Sequence, residues 1–273
     1  MKFYSNAKIN LGLKVLNKRP DGYHDLESIF IELNVGDEIV FTESNNFKLK
    51  TSFDSLKCDD SNTIVKAYNL MKSKLVSKKK DFNINVKKII PMGAGLGGGS
   101  SNAATTIKAL NKLWGMNISS SSLEKYCNSI SSDAPFFING KTQLVKGTGN
   151  ILKKISNNQF KKLYFLLVMS DIHVDTKWAY ENISFKNNKK SNILASFQES
   201  LNWSLFENDF EKVVFETYPE IGIIKQKLNK TGAIYSSLSG SGSTVFGIFD
   251  NLKLAEKSKK IFSNYQTFIT LPT

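Results

Sequence analysis

The stretch PMGAGLGGGSSNAA, residues 91 to 104, places five of the chain's 17 glycines within seven positions. Glycine lets a backbone approach a ligand closely and turn its N–H groups toward it. Three readings compete: a phosphate cradle, a dinucleotide fingerprint and a flexible joint. Gly93-x-Gly95-x-x-Gly98 formally satisfies the dinucleotide pattern. That pattern needs a buried parallel strand in front and a ribose-binding acid on a strand behind. Here the preceding DFNINVKKII alternates polar and apolar residues, and the following helix leads into another helix. The second nucleotide loop, G-x-x-x-x-G-K-[ST], is missing because no lysine follows the glycines. Ser100 or Ser101 is expected to cap the helix that follows. A helix N-terminus carries a partial positive charge suited to a di- or triphosphate. Linkers rarely sit between an alternating strand and a capped helix, so the phosphate cradle is the favoured reading.

Other residues could carry chemistry but are ambiguous in isolation. Lys8 and Asn10 lie two apart on an alternating segment and so point the same way. By themselves they read as the solvated face of a half-buried strand. Asp133, in the polar-to-apolar break SSDAPFF, has the local character of a cap or turn residue. Tyr23 and His24 follow the turn-like NKRPDGY, and LSGSGSTVFG would serve as a plain hairpin.

These residues need elements to position them. Ala7, Ile9, Leu11, Leu13 and Val15 alternate with polar residues, which predicts a strand with one buried face. LESIFIEL, DEIVFT and FKLKTS read as separate strands. Ile64, Ala67, Tyr68, Met71 and Leu75 predict a helix behind a Ser-Asn-Thr start. Ala103, Ala104, Ile107, Leu110 and Trp114 predict the helix after the glycines. Ser121-x-x-Glu124 resembles a capping box opening the next one, through Leu123, Tyr126 and Ile130. In the second half, LYFLLVM reads as a buried strand and Pro219 as a helix start. AIYSSL and TVFGIF flank the second glycine turn, and a helix and TFITL close the chain. The Asn/Lys-rich stretch around residues 186 to 192 reads as an exposed loop. No repeat is visible. Strands followed by helices in each half indicate an α+β protein of two domains, divided near residue 150.

Composition bounds the function classes. The 273 residues are 41% hydrophobic and 22% charged, as in soluble globular proteins. No apolar run reaches the roughly 18–20 residues of a membrane helix, and MKFYSNAKINLGLKV lacks the apolar core of a signal peptide. Cys58 and Cys127 stand in no metal spacing and suit a reducing cytoplasm. The two histidines, His24 and His173, are too few to suggest a metal centre. A net charge of +13 raises the question of nucleic acid. Arg19 is the only arginine, however, and the lysines fall in short scattered clusters such as Lys78 to Lys80, Lys153–Lys154, Lys161–Lys162 and Lys189–Lys190. Base reading and bidentate phosphate recognition lean on arginine, so nucleic-acid binding is not expected.

PMGAGLGGGSSNAA resembles the phosphate loop of the GHMP small-molecule kinases, and AKINLGLKV and LSGSGSTVFG (residues 238 to 247) resemble two further motifs of that family. DGYH at 21 to 24 and SSDAPFF at 131 to 137 narrow the resemblance to members acting on 4-diphosphocytidyl-2-C-methyl-D-erythritol in the non-mevalonate isoprenoid pathway. The motifs stand in the family's order and span most of the chain. The resemblance implies a ribosomal protein S5 domain 2-like domain at 1–150 and a ferredoxin-like α/β sandwich at 151–273. It implies ATP-dependent phosphorylation of the substrate's 2-hydroxyl, with Asp133 as general base and Lys8 beside it keeping the carboxylate ionised. ATP phosphates would meet Pro91, Met92, Gly93, Ala94, Gly95, Leu96, Gly97, Gly98, Gly99, Ser100 and Ser101. Asn10 would contact substrate or support Lys8, while His24 and Tyr23 would take the cytosine. The looser match of DIHVDTKWAY places Thr176 near the substrate and makes Tyr180 either a second stacking face or a core residue. Ser239, Gly240 and Ser241 would close over the site. Mg²⁺ is expected to arrive with ATP, since no carboxylate cluster marks a metal site of the protein's own. The chain would be a cytoplasmic monomer or weak homodimer that binds neither nucleic acid nor membrane. One departure is Ser131-Ser132, where the family usually has a glycine shortly before the aspartate; serines fit there if the backbone avoids positive φ.

Two rivals remain. Another GHMP kinase, of homoserine or mevalonate type, would have no use for DGYH. A lysine-rich, non-catalytic nucleic-acid-binding protein would leave Lys8 and Asp133 without purpose.

Overall fold

The computed structural model describes residues 1–273 except 54–55, 157, 185–190, 192, 195–196 and 198–200. Most of the Asn/Lys-rich stretch expected as an exposed loop, including Lys189 and Lys190, therefore lies outside the described residues. The chain forms two compact units that interleave along the sequence. The first comprises 1–7, 36–92 and 97–140, and the second 8–35, 93–96 and 141–273.

Strand β1 (Lys2–Lys18) and strand β2 (His24–Ser44) each supply residues to both units. LESIFIEL and DEIVFT were expected as separate strands and are instead one continuous β2. The intervening Asn-Val-Gly does not turn the chain, because Gly36 packs against the Ser5–Asn6 backbone where any side chain would collide. A second correction concerns β1. Its burial from Ala7 to Val15 is unbroken, so the polar face carrying Lys8 and Asn10 is as dry as the apolar one. Alternation reports which way side chains point; it does not report whether the second face is covered.

In the first unit, β3 (Lys48–Thr51) pairs in parallel with β4 (Asp81–Lys87), joined through α1 (Thr63–Ser73), and β4 pairs antiparallel with the C-terminal part of β2. Asn62 caps α1 by accepting from the Ile64 N–H, as the Ser-Asn-Thr start predicts. Beyond β4 come α2 (Gly98–Leu113), α3 (Ser120–Asn128) and the short α4 (Phe136–Asn139). The expected capping box at Ser121 and Glu124 does not form. Ser119 caps α3 instead, and the Glu124 carboxylate accepts from the Asn139 amide.

In the second unit the N-terminal part of β2 pairs antiparallel with β5 (Thr142–Gly147), and β5 pairs with β6 (Ile151–Lys154). A separate sheet is built from β7 (Tyr164–Met169), β8 (Tyr235–Leu238), β9 (Val245–Phe249) and β10 (Gln266–Thr270), all antiparallel in the order β10-β7-β9-β8. Helices α5 (Thr176–Asn182), α6 (Glu211–Thr217) and α7 (Pro219–Lys230) lie between β7 and β8 in the chain, and α8 (Leu252–Ile261) between β9 and β10. This β-α-β-β-α-β order is that of a ferredoxin-like sandwich. Leu166, Val168, Val245 and Phe249 from the sheet pack with Ile221, Ile224 and Leu228 of α7 and with Ala255 of α8. The Ile221/Ile224/Leu228 spacing sets that buried helical face.

Candidate active site

Lys8 is only 3% exposed. Its ammonium donates to Asn10 Oδ1 at 2.6 Å and lies 4.5 Å from the centroid of the Phe30 ring. Asn10 Nδ2 donates to Ser28 Oγ at 3.1 Å, and Ser28 Oγ donates to the Gly12 carbonyl at 2.6 Å. A buried cation is costly unless hydrogen-bonded. An amide oxygen and an aromatic face compensate that cost without cancelling the charge. The Lys8 N–H donates to the Leu96 carbonyl at 3.0 Å, tying β1 to the glycine loop.

Along the loop Gly93, Gly95 and Gly97 adopt φ of +67°, +75° and +68°, whereas Ala94 and Leu96 do not enter that region. Alternating handedness aligns successive N–H groups into a concave nest suited to anions. At Gly95 the glycine is also a steric necessity, because a methyl there would overlap the Ser239 carbonyl oxygen. At Gly93 a Cβ would stand 2.6 Å from the His173 imidazole. Pro91 and Met92 lead into the turn, with Met92 exposed.

Ser100 and Ser101, expected as caps, lie inside the first turn of α2. The cap is Gly97, with no side-chain hydrogen bond. The left-handed backbone at Gly97 starts the helix earlier than a serine would, and the first N–H groups of α2, from Gly98 on, have no intrahelical acceptor. The serine hydroxyls brace the segment instead. Ser5 Oγ donates to Ser101 Oγ at 2.8 Å, and Ser100 Oγ shares a 2.7 Å hydrogen bond with Ser131 Oγ. Thr63 Oγ1 donates to the Gly99 carbonyl at 2.8 Å.

Asp133 is half-buried in the turn before α4. Ser131 and Ser132 sit on ordinary backbone. Among the described residues only Asn117 and Lys141 are non-glycines with positive φ, so the missing family glycine leaves no strain. The Ser100–Ser131 bond links the start of α2 to this turn within the first unit.

Within the second unit the turn between β8 and β9 meets the loop. Ser239 Oγ donates to the Gly95 carbonyl at 2.9 Å, and the Thr244 N–H donates to the Ala94 carbonyl at 3.2 Å. A Cβ at Gly240 would stand 3.5 Å from Asn10 Oδ1. Ser241 Oγ and Thr176 Oγ1, the latter in the first turn of α5, share a 3.0 Å hydrogen bond. His24 and Tyr180 stack with centroids 5.1 Å apart and planes 20° apart. Tyr180 also packs edge-on against Phe210 and borders the core. Tyr23 is 65% exposed. Burial, followed by the charge of Lys18, holds the His24 imidazole below its usual pKa.

The second unit thus gathers Lys8, Asn10, Gly95, Ser239 and Gly240, with His24–Tyr180 and Thr176–Ser241 as separate pairs. The first unit gathers Ser100, Ser101 and the Asp133 turn. Several supporting residues escaped the sequence reading. Asn208 Nδ2 donates 2.8 Å bonds to the carbonyls of both Leu238 and Gly240, fixing the second glycine turn. Asp37 accepts from the Ile89 and Ile90 N–H groups and pairs with Lys88, whose side chain is 5% exposed, just before the loop. Ser28 was visible only as a serine inside the apolar run LESIFIEL. No pattern in one sequence announces such partners, because each pairs with a residue distant in the chain. Among the described residues no group of three His, Cys, Asp or Glu is placed to hold a metal, and no helix is long and apolar enough to cross a membrane.

The chain as a whole resembles known proteins. Residues 62–141 match the GHMP kinases N terminal domain and residues 190–265 the GHMP kinases C terminal model. The chain is 40% identical to the 4-diphosphocytidyl-2-C-methyl-D-erythritol kinase of Thermodesulfovibrio yellowstonii, across 95% of this chain and 93% of that one. It is 41% identical to the protein of the same name from Azobacteroides pseudotrichonymphae, across 90% and 92%. A crystal structure of 4-(cytidine 5'-diphospho)-2C-methyl-D-erythritol kinase superposes with a TM-score of 0.86 at 25% identity, covering all of both chains. Methanococcus jannaschii mevalonate kinase shares the fold, with a TM-score of 0.71 at 16% identity over 100% of this chain and 98% of that one. The chain belongs to the GHMP kinases and, within them, to the 4-diphosphocytidyl-2-C-methyl-D-erythritol kinase family.

Proposed function

We propose that this kinase transfers the γ-phosphate of ATP to the 2-hydroxyl of 4-diphosphocytidyl-2-C-methyl-D-erythritol. The observation that carries the substrate is the 40% identity, over nearly the whole chain, to a relative bearing that substrate in its name. DGYH, with His24 held neutral and stacked on Tyr180, supports it. Asp133 takes the proton of the attacking hydroxyl. Lys8 keeps that carboxylate ionised and orients the hydroxyl, and Asn10 holds Lys8. The nest from Gly93 to Gly97 and the uncapped N-terminus of α2 bind the triphosphate. Pro91 and Met92 border it, and Ser239, Gly240 and Ser241 close over it. Tyr23, His24, Thr176 and Tyr180 hold the substrate. Phosphoryl transfer leaves little covalent work to the protein, so positioning and charge carry the rate.

Mg²⁺ enters with ATP, neutralising charge on the transferred phosphate. The boundary near residue 150 separates the two family domains, in keeping with the gap between the two matched segments. The enzyme acts in the cytoplasm as a monomer or weak homodimer and binds no nucleic acid.

A coupled ADP-release assay with the cytidine-diphosphate alcohol, homoserine and mevalonate tests this reading. Turnover is expected with the first alone; activity confined to either of the others would overturn it. In the same assay Asp133→Asn is expected to lower kcat by roughly 10²–10⁴-fold while leaving ATP affinity and the melting temperature unchanged. Near-normal turnover would remove Asp133 from the base role.

A further inference from the structure

The two ends of the buried chain that starts at Lys8 can each play only one part. The Gly12 carbonyl can only accept and the Lys8 ammonium can only donate. Ser28 sits at the first end, with its one hydroxyl hydrogen committed to Gly12 at 2.6 Å. Its oxygen is left as an acceptor, so the Asn10 atom facing it must be the NH₂ nitrogen. The Asn10 atom facing Lys8 is then the carbonyl oxygen, at 2.6 Å. Every hydrogen bond in the row Lys8–Asn10–Ser28–Gly12 thus runs in one direction, set by a backbone carbonyl that no side chain can reverse. Ser28 is fully buried and Asn10 1% exposed, so water does not stand in for a missing partner.

We propose that Ser28 is a positioning residue for phosphoryl transfer: its hydroxyl locks the Asn10 carboxamide with the oxygen toward Lys8, and so fixes the Lys8 ammonium. The role rests on the functional reading above only in what the ammonium is used for. Without the hydroxyl, the Asn10 NH₂ loses Ser28 as acceptor and the Gly12 carbonyl loses Ser28 as donor. The amide is then free to turn, and a turned amide would face Lys8 with N–H groups, donor against donor. Lys8 would leave its place over Phe30, while the phosphate nest, built from backbone, would stay intact.

The test uses the full-length protein with Ser28→Ala, Ser28→Thr and Asn10→Ala, alone and combined. Ser28→Ala is expected to lower kcat about tenfold or more while the KM for ATP stays within about twofold. Ser28→Thr, which keeps the hydroxyl, is expected to restore most of the rate. In the Asn10→Ala background the Ser28→Ala change is expected to cost nothing further. A kcat within about twofold of wild type, a threonine variant as slow as the alanine one, or an equal loss in the Asn10→Ala background would each overturn the role. A readout without substrate separates this role from the functional reading. The Asn10 side-chain amide resonance, assigned by its disappearance in Asn10→Ala, is expected to shift and broaden in Ser28→Ala. A shifted resonance beside a wild type inert toward the cytidine-diphosphate alcohol would sink the functional reading and leave the positioning role standing. An unshifted resonance sinks the positioning role alone.

Discussion

If His24 contacts the cytosine as proposed, this single residue makes substrate affinity depend on pH. Burial and then the charge of Lys18 hold its pKa below the ordinary imidazole value, so the ring is predominantly neutral at pH 7. A neutral ring both donates and accepts, whereas the imidazolium only donates and loses its acceptor for the cytosine amine. The neutral, binding-competent form predominates at neutral pH and is lost as pH falls through the lowered pKa. We expect the KM for the cytidine-diphosphate substrate to rise between neutrality and about pH 5, and His24→Gln to remove most of that rise. A pH-independent KM in the wild type would remove the imidazole from base recognition. The shared direction of Lys8 and Asn10 could be read from spacing alone, since a period of two allows nothing else. Their burial could not, because it depends on what covers the second face. Ser28 was illegible for the same reason: its role lies in a bond across strands 18 residues away from Asn10.

At the scale of elements, the glycine loop is held by neighbours as much as by its own sequence. Gly95→Ala would place a methyl into the Ser239 carbonyl and force an L-residue into φ of +75°. We expect the KM for ATP to rise by at least about tenfold, equivalent to ~1.4 kcal/mol, with a smaller change in the KM for the alcohol. Unchanged ATP affinity would show that the nest does not hold the phosphates. The loop and the helix behind it were legible because glycine runs and helical periodicity are local signals. The cap was not: serine is the commoner N-cap, but a left-handed glycine took the position and left Ser100 and Ser101 to brace the turn. The single strand β2 was also misread as two, since Gly36 looks like a turn signal until the close approach of Ser5 is known. By contrast, the buried faces of α7 and β7 followed directly from their apolar patterns.

For the whole molecule, the charge of +13 acquires a purpose other than nucleic acid. Both substrates of the proposed reaction are polyanions, and a net positive field raises their encounter rate. Raising KCl from about 0.05 to about 0.3 M should therefore lower kcat/KM severalfold for both substrates and leave kcat nearly unchanged. An equal fall in kcat would assign the salt effect to the bound state instead. Basicity carried by lysine also has a chemical consequence. Lys8 and Lys14 are buried, the Lys88 side chain is only 5% exposed, and Lys8 lies under the ring of Phe30. Acylating reagents modify exposed amines, so they would strip the molecule of its surface charge while the buried Lys8 amine stayed intact. Partial acetylation would thus produce a slower-capturing enzyme, not a dead one, and would turn the steering field into something adjustable apart from the chemistry.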